Sequence, residues 1–133
     1  DVKRDGADIT VVAIAWMVHE ALAAAEIMDK EGVSVEVIDP RTLAPLDAGT
    51  ILKSVQKTGR LLVADEAGPT AGASAEIIAL ATEDAETFRA LKVPVRRVCA
   101  LNAPIPYSPV LEDHVFPNRN RIADGIRTVM SAG

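Results

Sequence analysis

Val35-Glu36-Val37-Ile38-Asp39-Pro40-Arg41-Thr42-Leu43-Ala44-Pro45-Leu46-Asp47 reads as a strand, a rigid polar loop and the start of a helix. Val35 and Val37 alternate as a pleated strand requires. Pro40 has no N–H to donate to a ladder, so the strand ends near Asp39. Pro45 again excludes regular structure, and Asp47 is a good cap for a helix that follows. Asp39 and Arg41 therefore sit at the carboxyl end of a strand, where open α/β sheets usually place their sites.

Working outward, Ile9 to Ala15 is an apolar run of strand length, suited to a strand covered on both faces. Val18, Ala21, Leu22, Ala25 and Met28 recur at helical spacing, with Gly32 as a stop. The helix after Asp47 carries Ile51, Leu52 and Val55 and ends before Gly59. Arg60 to Asp65 is a further strand with acids at its end, and the loop Glu66 to Gly72 is rich in small residues. One long helix is expected next, marked by Ile77, Leu80, Ala81, Phe88 and Leu91. Val93 to Cys99 makes a fourth strand, interrupted early by Pro94, which marks either an edge or a strand start. Asn102 to Pro109 is too proline-rich for helix or strand. A last helix over residues ~119–131 is capped by Asn118. Alternation of strand and helix predicts an α/β fold with a mostly parallel sheet and helices on both faces.

The 133 residues form one domain by size, and 49% hydrophobic residues give it an aliphatic core, because aromatics are only 3%. That scarcity, with a net charge of −5, argues against nucleic-acid binding, which needs stacking rings and a basic face. No apolar run reaches the ~20 residues of a membrane span. A single cysteine, Cys99, excludes an internal disulfide and reads as a buried thiol that fits a reducing compartment. The start, Asp1 to Gly6, is polar and lacks an initiator Met. Residues 1–7 are read as a linker from an upstream domain and residues 8–133 as the domain itself.

The turn after the first strand, Ala15-Trp16-Met17-Val18-His19, has no G-x-G-x-x-G, and no G-x-x-x-x-G-K-[ST] occurs. His19 and His114 are the only histidines and show no metal-ligand spacing; His19, near the carboxyl end of a strand, reads as a partly exposed helix-start residue in preference to a catalytic one. Ser74 and Ser108 lie in no G-x-S-x-G elbow. Asp39, Asp65 and Glu66, with Arg41, are the groups able to converge above the sheet. There they serve either proton transfer or ion pairs that order loops and subunit contacts. The small residues around Ser74 open a helix whose amino end holds an anion or packs closely on a neighbour.

Three segments then carry a resemblance. Val35 to Asp47 resembles the V-E-V-I-D-L/P-R-T-L-x-P-L-D run of thiamine-diphosphate-dependent 2-oxoacid dehydrogenase beta subunits. Lys57-Thr58-Gly59-Arg60-Leu61-Leu62-Val63-Ala64-Asp65-Glu66-Ala67 is similar to their K-T-G-R-L-V-V-V-x-E-A, and Ala103-Pro104-Ile105-Pro106-Tyr107-Ser108-Pro109-Val110-Leu111-Glu112 to their T-P-I-P-Y-[AS]-P-x-L-E. The family includes pyruvate, branched-chain and acetoin dehydrogenases, and this chain looks most like the acetoin or pyruvate type. Trp16 and Asn102 depart from its usual residues.

The resemblance covers the carboxyl-terminal, transketolase C-terminal-like domain and implies a three-layer α/β/α unit of five strands, one antiparallel. It implies that the chain alone binds no cofactor and is inactive. In the parent enzyme thiamine diphosphate and magnesium lie between alpha and beta subunits, and no residue here matches the activating glutamate or the G-D-G…N motif. The implied partners are the alpha and beta subunits of a heterotetramer and a lipoyl acyltransferase core, in the bacterial cytoplasm or an organelle matrix. Asp39, Arg41, Asp65, Glu66, Pro104, Pro106 and Tyr107 become candidate interface or loop-ordering residues, and an apolar patch awaiting other subunits is expected. The other reading is a free-standing ligand-binding or regulatory α/β domain using the Asp39/Arg41/Glu66 rim.

Overall fold

The computed structural model describes residues 1–41, 46–66, 73–100 and 117–132. Its elements are β1 Val2–Arg4, β2 Ile9–Ala13, α1 Met17–Asp29, β3 Val35–Ile38, α2 Ala48–Thr58 and β4 Leu61–Asp65. Then come α3 Ser74–Glu83, α4 Ala85–Ala90, β5 Arg96–Cys99 and α5 Arg119–Ser131. The sheet order is β1-β3-β2-β4-β5. β2 pairs in parallel with β3 (Ile9 opposite Val35) and with β4 (Thr10 opposite Leu61), and β4 with β5 (Leu62 opposite Arg96). β1 runs antiparallel to β3, with Val2 opposite Ile38.

Alternation along the strands sorts the core into two slabs. Ile9, Val11 and Ala13 of β2 join Val35, Val37, Leu62, Ala64 and Val98 under α1 and α5. Val12, Ile14, Ile38, Leu61 and Val63 pack on the other face against Ile51, Val55, Ile77 and Ala81 of α2 and α3. Successive side chains of a strand point to opposite faces, so strands buried throughout, as β2, β3 and β4 are, require a helical layer on each side. The result is a three-layer α/β/α fold with one antiparallel strand in a mostly parallel sheet.

The expected helix signals work as local chemistry. The Asp47 carboxylate accepts from Thr50 N at 3.3 Å and from Thr50 Oγ1 at 2.7 Å, and α2 ends on Gly59 at φ 73°. Asn118 caps α5 through Arg121 N at 3.0 Å. Two expectations change. Residues 1–7, read as linker, include β1. Its three residues are half-exposed at the sheet edge, too short and polar to announce themselves. The single long helix after residue 73 is two, because Asp84 turns to an extended conformation and caps α4, accepting from Thr87 N at 3.1 Å and Thr87 Oγ1 at 2.7 Å. The large apolar side chains left exposed among the described residues are Val2 in β1, Trp16 just before α1 and Phe88 in α4.

Candidate functional site

The carboxyl ends of β2, β3 and β4 bring the predicted groups to one rim of the sheet. Asp39 closes β3. Its carboxylate Oδ1 accepts from Arg41 N at 2.7 Å, the side-chain-to-backbone turn that short acids favour. Its backbone pairs with Asp1 in both directions at 2.9 Å. The Arg41 guanidinium reaches back to Asp1 Oδ2 at 3.3 Å, and Lys3 shares that oxygen at 2.8 Å. Asp39 and Arg41 thus tie the amino-terminal edge strand to the loop after β3.

Two non-glycine residues on this rim adopt left-handed backbone: Ala15 at φ 54° and Arg41 at φ 62°. Such residues cost of order 1–3 kcal/mol each and cluster where structure is held for a purpose. Both line one cleft of about 340 Å³ with Ile14, Asp39 and Pro40.

Asp65, at the end of β4, takes a different part. It is buried, and its Oδ2 accepts from Ser74 N, the first residue of α3, at 3.3 Å. The amino end of α3 therefore meets a carboxylate of this chain, in agreement with the helix dipole. Ser74 Oγ lies 3.5 Å from Cys99 Sγ, and Cys99, opposite Asp65 in the sheet register, is buried as expected. Glu66 is exposed just beyond. The proposed convergence does not occur as one cluster. β2 lies between β3 and β4, so Asp39 and Asp65 are two strand spacings apart, about 9.5 Å. Pro104, Pro106, Tyr107 and His114 lie outside the described residues. His19 is exposed, its ring 5.1 Å from that of Trp16.

One polar cluster had no counterpart in the sequence reading. Glu36 is an acid inside β3 with 3% of its surface exposed. It accepts from Gly6 N at 3.1 Å, from Ser54 Oγ at 2.5 Å and from the Lys57 ammonium. Ser54 continues to Thr10 Oγ1 at 2.6 Å, and Thr10 to Thr58 at 2.8 Å. Burial pushes the Glu36 carboxyl up, but the Lys57, Ser54 and Gly6 donors outweigh it and hold it below the ordinary carboxylate value. A lone acid in an apolar strand, with Lys57 and Ser54 three apart on the next helix, was the available signal. The cluster fastens α2 and the residue 5–8 turn to the sheet, on the flank of β3 away from the rim.

Among the described residues no three His, Cys, Asp or Glu side chains come together to hold a metal ion. No helix of the described residues is long and apolar enough to cross a membrane.

The family model for the transketolase C-terminal domain matches residues 1–122. The chain belongs to that family. It is 44% identical over 133 residues to the acetoin:2,6-dichlorophenolindophenol oxidoreductase subunit beta of Cupriavidus necator, covering all of this chain and 39% of that one. It is 41% identical over 130 residues to the pyruvate dehydrogenase E1 component subunit beta of Bacillus subtilis, covering 98% of this chain and 39% of the relative. The chain thus spans about two-fifths of the length of these curated relatives. A solved split-gene transketolase, an inactive beta4 tetramer, superposes with a TM-score of 0.84 at 22% identity, over 99% of this chain and 41% of the other, and so shares the fold. The beta-subunit resemblance read from the three segments agrees with these relatives, and the transketolase C-terminal fold agrees with the five-stranded sheet.

Proposed function

We propose that this chain is the C-terminal domain of the beta subunit of a thiamine-diphosphate-dependent 2-oxoacid or acetoin dehydrogenase, and that its work there is assembly. The observation that carries the reading is the alignment of all or nearly all of the chain with beta subunits of acetoin and pyruvate enzymes. The rim supports the second half of the reading. Asp39, Arg41 and Asp65 spend their hydrogen bonds on ordering the loop after β3 and the start of α3. A domain with its strand-end acids so committed offers neighbouring subunits a shaped surface and leaves proton chemistry to others. Thiamine diphosphate and magnesium belong to the parent enzyme, and no step of its reaction is assigned to a residue of this domain. The alpha subunit, a second beta subunit and the lipoyl acyltransferase core are the partners in this reading, in bacterial cytoplasm or an organelle matrix.

Sedimentation of the parent beta subunit with its alpha subunit tests the assembly role. Truncation before Asp1 is expected to abolish the heterotetramer while the remaining upstream part stays folded by circular dichroism. An intact heterotetramer from the truncated subunit would reject it.

A further inference from the structure

The last turn of α4 and the residues leading into β5 border a cleft of about 510 Å³. Leu91 and Val95, which line it, also pack on the slab of Ile51, Val55, Ile77 and Ala81. Phe88 and Pro94 line it while exposed, Phe88 with 59% of its surface in water. The backbone here is tied down. Leu91 N donates to Thr87 O at 3.2 Å, and Lys92 N donates to Gly59 O at 2.8 Å. The cleft lies at the amino end of β5, the opposite end of the parallel strands from the rim carrying Asp39 and Asp65.

Two polar side chains join this apolar lining. The Thr82 hydroxyl donates to Ile78 O at 2.9 Å, inside its own helix. Lys92 is differently placed. Its stem lies across Gly59, where a Cβ would stand 2.8 Å from Lys92 Cε and 3.0 Å from Lys92 Cδ. Among the described residues the Lys92 ammonium has neither an ion-pair nor a hydrogen-bond partner. A lysine stem extends an apolar wall while its head seeks an anion. An open cation beside an exposed aromatic ring therefore matches a ligand with an apolar body and one negative charge. A polyanion is a poor match, because the chain carries a net charge of −5.

We propose that the α4–β5 cleft binds a small amphipathic monoanion, a medium-chain carboxylate, with its tail against Phe88, Leu91 and Val95 and its carboxylate at the Lys92 ammonium. Apolar walls, one charged group and this volume are the usual make-up of a small-molecule site. The proposal stands whether or not the assembly reading above holds.

Calorimetric titration of the intact protein with octanoate tests it, with octanol and acetate as comparison ligands. Octanoate is expected to bind saturably in the sub-millimolar range, octanol more weakly and acetate not at all. Lys92→Met keeps the stem and removes the charge. It should weaken octanoate about threefold, the size of an exposed ion pair, and leave octanol unchanged. Phe88→Asp should weaken both about tenfold by removing apolar contact. Phe88 is exposed, so this variant keeps the fold, which circular dichroism checks. Lys53→Met, at an exposed cation on α2, should change nothing. No saturable octanoate binding at millimolar concentration would overturn the proposal. So would equal affinity for octanoate and octanol, or octanoate binding untouched by Lys92→Met or by Phe88→Asp. If Phe88→Asp breaks up a subunit assembly while octanoate never binds, the cleft belongs to a protein partner and the proposal fails.

Discussion

Gly6 is where the amino-terminal segment presses hardest on the sheet, and Gly6→Ala measures how firmly that segment belongs to the fold. A Cβ at residue 6 would lie 2.6 Å from Val35 O and closer still to Val35 C and Glu36 N. All three are backbone atoms of β3 and cannot rotate away. Ordinary contact needs about 3.5 Å, so the turn has to back off by close to 1 Å or more. That movement breaks the Gly6 N–H bond to Glu36 at 3.1 Å and strains Ala7 N to Ser34 Oγ at 3.0 Å and Ser34 N to Asp8 Oδ2 at 2.7 Å. At about 1 kcal/mol for each bond, with an added penalty for the buried carboxylate losing a donor, the loss is about 2–4 kcal/mol. With a urea m-value of ~1–3 kcal/mol/M, the midpoint of unfolding should fall by about 1–2 M. Equilibrium urea unfolding followed by circular dichroism reads this directly. A loss below about 0.5 kcal/mol would refute the reasoning, because residues 1–7 would then peel away freely as a linker does.

Four further outcomes are expected. The Glu36 carboxyl is held below its unfolded value, so its stabilising contribution is complete above about pH 4.3 and is lost as pH falls through the lower folded value; the acid limb of stability against pH should flatten in Glu36→Gln. Lys57→Met leaves that carboxylate short of its cation and should cost about 1–2 kcal/mol by urea titration, less than a fully buried pair because Lys57 is half-exposed. Ala15→Gly removes a left-handed alanine and should raise the thermal midpoint, by about 0.5–1 kcal/mol of stability. Asn118→Ala removes the α5 cap and should cost about 1 kcal/mol.

Periodicity and caps made most of the fold legible. The apolar run at Ile9, the alternation at Val35, Asp47 with Gly59, and Asn118 each predict an element that the structure contains. What escaped was decided by tertiary contact. β1 is three residues whose strand character comes from docking on β3, and nothing in Val2-Lys3-Arg4 carries a period. The break at Asp84 was written in Asp84 and Thr87, but Ile77, Leu80 and Phe88 mask it by keeping a helical pattern across it. At the rim, the strand-end placement of Asp39, Arg41 and Asp65 was readable. That Asp39 and Asp65 are separated by β2 was not, because strand order is set by crossover packing rather than by chain order. Glu36 reads as one more strand residue until Ser54 and Lys57 are folded over it.

The measurement that tests the central claim most directly is turnover. The 133-residue chain is mixed with thiamine diphosphate, magnesium, and pyruvate or acetoin, and reduction of dichlorophenolindophenol is followed with and without the alpha subunit and the upstream part of the beta subunit. No reduction by the chain alone, and reduction once the complete subunits assemble, is the result expected of an assembly domain. Turnover by the chain alone would contradict it.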